Sequence, residues 1–162
     1  ESLFELDPMS FELHRGVRAL ARTLGEEDVA LLTGLFHRLN PLTVELDLAV
    51  ALARAGSDEV EPILRNAAFL LPWSQALLAA GAARAVHGDD RLVRWIESAP
   101  PTASLESIRR IGHALGEFGG PAAVDLLRDR VAVEGDAALP APRALAALQG
   151  AMLGVLSSVP AR

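Results

Sequence analysis

The chain contains no cysteine, no lysine and no tyrosine. Without cysteine there can be no disulfide, no thiolate nucleophile and no cysteine-ligated zinc, and the redox compartment is left open. Without lysine a Walker-type phosphate loop and any Schiff-base chemistry are excluded. All 15 basic residues are therefore arginines. Together with the abundance of Ala, Gly and Arg, this fits the codon usage of a GC-rich genome better than escape from lysine-directed modification. Aromatic residues are scarce, two Trp and five Phe among 162 residues, so a core has to be built from Leu, Ala and Val. Positive charge is also short. A net charge of −6 gives no overall attraction for nucleic-acid phosphates.

What the chain does have is a period. Gly25, Gly56, Gly88 and Gly120 stand 31, 32 and 32 residues apart, each between two apolar runs. Four residues after each glycine come Val29, Val60, Leu92 and Val124; seven after, Leu32, Ile63, Trp95 and Leu127; eleven after, Phe36, Ala67, Ala99 and Val131. Spacings of three and four place these on one helical face. Counting back from Gly25, Gly56, His87 and Gly119, a one-residue slide in the last two units, gives the preceding helix: four back, Ala21, Leu52, Ala83 and Leu115; eight back, Val17, Leu48, Ala79 and Ile111. The repeated unit is a helix, a glycine-closed turn and a second helix. Acidic residues open the second helix in three units (Glu26-Glu27-Asp28, Asp58-Glu59, Asp89-Asp90), where they complement the backbone dipole, and Pro121 opens the fourth.

This pattern predicts helices near 9–24, 27–39, 42–55, 58–71, 74–86, 90–99, 104–118, 121–134 and 141–158, with Pro41, Pro72, Pro100-Pro101 and Pro140/Pro142 at the junctions. Ser74 is expected to cap its helix, with Trp73 stapled to Leu78. Two stretches lack charge for 18 residues, Asn66 to Ala83 and Ala144 to Ala161. Pro72 divides the first. Gln149, two glycines and paired serines make the second a poor anchor, so no membrane insertion is expected. Gly112/Gly116 and Gly150/Gly154 read as points where neighbouring helices come close.

The cadence resembles the HEAT-like repeats, in the short form of bacterial and phycobilisome-lyase-type proteins. It is clearest over RRIGHALGEFGGPAAVDLLRDRV (109–131) and recurs in LAVALARAGSDEVEPILRNAAFL (48–70). Tetratricopeptide and ankyrin signatures are missing. The resemblance implies an all-α fold, an α-solenoid of about four to five antiparallel helix pairs in a single domain over 1–162. Its units run roughly 9–39, 42–71, 74–99 and 104–134, with a degenerate one at 141–158. It also implies that the second helix of each unit lines a concave, partner-binding face.

No catalytic constellation accompanies the repeat. His14, His37, His87 and His113 are scattered, with no metal-binding spacing among them. Neighbouring carboxylates point about 100° apart on a helix. No G-x-S-x-G or H-E-x-x-H motif is present. The expected function is thus a non-catalytic, cytoplasmic protein–protein interaction or scaffold module, without metal or cofactor. The candidate binding residues are Arg38, Arg65, Phe69, Arg94 and Arg128 on the second helices, an arginine-plus-aromatic set of the kind enriched at interfaces. The competing description of these arginines is a solvated face paired to Glu61, Glu97 or Asp125. The apolar segment Ala144–Val159 is expected to support self-association or further repeats. HEAT-fold enzymes supply the alternative, as bilin lyases or base glycosylases. The first would need a carboxylate–histidine pocket, for which no pair stands at suitable spacing, and the second a basic aromatic groove. A purely structural spacer is the remaining possibility.

Overall fold

The computed structural model describes residue 19 and residues 29–38, 46–132 and 139–159. The chain forms two compact units, residues 1–64 and 65–162. Every regular element among the described residues is helical, as the period predicts.

The first unit contains α1 (Val29–Arg38), α2 (Leu46–Arg54) and a 3-10 turn, Asp58–Val60. Helix α2 is apolar on almost every side, and Leu48 to Ala53 are all buried. It stops at Gly56, whose φ of 88° is open to glycine at little steric cost. The Ser57 amide donates to Leu52 O at 3.0 Å and the Gly56 amide to Ala53 O at 2.9 Å. That pair of bonds is the Schellman closure, and it satisfies carbonyls that the helix end would leave open. The turn expected at Gly25 lies outside the described residues.

Helix α3 (Glu61–Leu70) begins in the first unit and ends in the second, and Pro62 sits in its first turn. The second unit continues with α4 (Trp73–His87), α5 (Asp89–Glu97), α6 (Leu105–Val131) and α7 (Ala141–Ser158). Helix α6 is two helices in one continuous run. Gly120 interrupts it at φ 67°, ψ −160°, almost the conformation of Gly88 at φ 75°, ψ −179°. That region belongs essentially to glycine alone. Pro121, directly after the break, lacks only an amide that a first turn would not use. The expected helices at 104–118 and 121–134 are therefore the two arms, 105–119 and 121–131.

Two starts differ from expectation. Trp73 is itself the first residue of α4, with Pro72 before it, so Ser74 lies inside the helix and caps nothing. The Trp73 ring meets the His113 ring edge-on, with centroids 4.8 Å apart. The first arm of α6 is capped by Ser104, whose Oγ accepts from the Ser107 amide at 3.0 Å.

The first arm of α6 runs parallel to α4: contacts pair Leu71 with Arg110, Trp73 with His113 and Gly81 with Phe118, numbers rising together. It also runs parallel to α7, at much closer range. A Cβ on Gly112 or Gly116 would lie 2.2 or 1.9 Å from the carbonyl oxygens of Ala147 and Ala151. A Cβ on Gly150 or Gly154 would lie 2.0 or 2.1 Å from those of Arg109 and His113. Each glycine thus presents a Cα hydrogen to a carbonyl of the other helix, the geometry of a Cα–H···O contact. The close approach read from the two glycine pairs is what the structure shows.

Candidate functional site

Of the five candidate residues, Arg38 lies on α1 and its side chain is outside the described residues. Arg65 and Phe69 share a face of α3, with the guanidinium carbon 5.9 Å from the ring centroid, within cation–π range. Phe69 is only 7% exposed, so its ring belongs to the core rather than to a binding surface. Arg65 is half-buried and directed at the end of α5. Its Nη2 donates to the Ser98 carbonyl and, at 3.1 Å, to Ser98 Oγ, which in turn donates to Arg94 O at 2.6 Å. The role this geometry gives Arg65 is to fasten α5 to α3.

Arg94 and Arg128 are exposed and paired within their own helices, to Asp90 at 2.7 Å and to Asp125 at 2.8 Å. Asp90 also receives Arg130 at 3.0 Å, and Arg130 approaches Glu97 at 3.7 Å. Two arginines against two carboxylates leave this strip without net charge, so it is not an anion-binding patch. Exposed pairs of this kind contribute about 0–1 kcal/mol each. Replacing Arg94 and Arg128 together with Glu should lower stability by less than about 2 kcal/mol in urea unfolding while leaving the helical circular-dichroism signal intact. These two arginines are available to a partner; Arg65 and Phe69 are occupied.

The structure corrects one sequence expectation. His113 and Glu117 do form a histidine–carboxylate pair, four residues apart, with Nε2 and Oε2 3.3 Å apart. Ser157 Oγ lies 3.4 Å from the same Nε2. Serine, histidine and carboxylate together suggest a nucleophile and base, but the geometry opposes it. A relay needs the carboxylate on Nδ1, opposite the nitrogen that faces the hydroxyl. Here both partners face Nε2. Moreover, Ser157 Oγ donates to Gly154 O at 2.8 Å, the local back-bond of a helical serine. The cluster ties α7 to the first arm of α6. No group of three His, Asp or Glu suited to a metal ion occurs among the described residues.

Sequence reasoning missed a second set of arginines. Arg110 Nη1 donates to Leu71 O at 2.7 Å, in the connection between α3 and α4. Arg143 forks onto three successive carbonyls after α5: Ala99 at 3.0 Å, Pro100 at 2.9 Å and Pro101 at 2.9 Å. Both arginines sit in the opening turns of a helix and hold a connection that precedes the two helical segments before it. They stand 33 residues apart, about one period, so the signal was in the sequence. Both stand on first helices, whereas the face expected to bind a partner belongs to the second helices.

One open surface among the described residues is apolar. Leu145, Met152, Leu153 and Leu156 of α7, and Val159 directly after it, are each more than half exposed. Between α7 and the second arm of α6 lies a groove lined by Pro121, Val124, Asp125, Met152, Val155 and Leu156. On its other side, α7 borders a shallow depression formed with Arg109, Gln149 and Leu153. Among the described residues, no helix is long and apolar enough to cross a membrane. No protein-family model, curated protein or solved structure matches the chain.

Proposed function

We propose that the protein is a non-catalytic interaction or scaffold module, whose second unit is a HEAT-like stack of helix pairs that docks a protein partner. The observation that carries this reading is the recurrence of one set of contacts from pair to pair. First helices lie parallel at α4, 105–119 and α7. Second helices are linked in sequence, α3 to α5 by Arg65 and α5 to 121–131 by Arg130. The arginine on each connection recurs with them. Such repetition generates extended surfaces built for contact rather than enclosed pockets for chemistry. The exposed second-helix arginines Arg94 and Arg128 are the available part of the face expected from the resemblance.

The test is affinity capture from lysate of the source organism with the parent chain and the Arg94→Glu/Arg128→Glu variant. A partner identified with the parent and lost by the folded variant supports docking on the second-helix face. A partner retained by the variant moves the site elsewhere on the module. Capture of nothing, combined with turnover of an alkylated base or a bilin difference spectrum, would replace this reading with an enzymatic one.

A further inference from the structure

We draw no further inference here: the strongest candidate, the apolar groove between the second arm of α6 and α7, is an unpartnered face, and nothing in the structure shows what covers it.

Discussion

Replacing Gly116 with Ala should cost the second unit about 3 kcal/mol or more, although the substitution favours an isolated helix by roughly 0.5–1 kcal/mol. The new methyl group would stand 1.9 Å from the Ala151 carbonyl oxygen, a distance no relaxation of side chains can relieve. The helices must separate, and all four glycine contacts across the α6–α7 interface loosen together. Both tryptophans of the chain, Trp73 and Trp95, lie in the second unit, so urea unfolding followed by their fluorescence reports on it. Two comparisons make the result specific. Adding Ala151→Gly should not rescue the variant, because the obstacle is backbone. Gly81→Ala should cost less than about 1 kcal/mol, because its methyl would meet the edge of the Phe118 ring at 3.0 Å, and that partly exposed ring can swing away. A Gly116→Ala protein as stable as the parent would show that the close approach of these helices is not what holds them.

How much of this was legible beforehand depended on whether a feature was local. Glycine turns are local, since a positive φ selects glycine wherever it occurs, and Gly56, Gly88 and Gly120 all adopt one. Most helix limits among the described residues followed to within three residues for the same reason, the 3-10 turn at Asp58–Val60 and the start of α4 being the departures in kind. There Pro72 precedes the helix, and the Trp73 ring has a partner on another helix, His113. The glycine pairs marked a close contact without naming its partner, because spacing fixes a face and leaves its neighbour open. The candidate arginines divide along the same line. Arg94 and Arg128 pair with acids three or four residues away in their own helices, as spacing alone allows. Arg65 is taken by Ser98, 33 residues on, which no local pattern reveals. The His113–Glu117 pair was readable at four-residue spacing and was overlooked. Its lack of catalytic geometry was not readable, because that depends on Ser157, 44 residues away.

Arg143 tests whether the recurring arginines hold successive helix pairs together or merely decorate them. The connection it binds contains Pro100 and Pro101, which have no amide hydrogen, so this stretch has few donors of its own. The Ala99 amide reaches back to Ile96 O at 3.2 Å and the Ala103 amide to Pro100 O at 2.9 Å. Beyond the Arg65 donor to Ser98 O, Arg143 supplies donors to the next three carbonyls, one nitrogen to Ala99 O and the other shared by Pro100 O and Pro101 O. A planar fork can meet three carbonyls at once; an ammonium group, a single compact charge, cannot hold the same set. Because the two prolines are exposed, water replaces part of what is lost. Arg143→Met should therefore cost about 2 kcal/mol rather than the sum of three charged hydrogen bonds. Arg143→Lys should recover less than half of that. Arg110→Met, which gives up a single bond to Leu71 O, should cost about 1 kcal/mol. Hydrogen exchange locates the effect: the Ala103 amide should lose protection in Arg143→Met and keep it in Arg110→Met. If lysine serves as well as arginine at 143, attraction to the carbonyls is all that matters there. The periodic placement of the fork would then be no part of what joins one helix pair to the next.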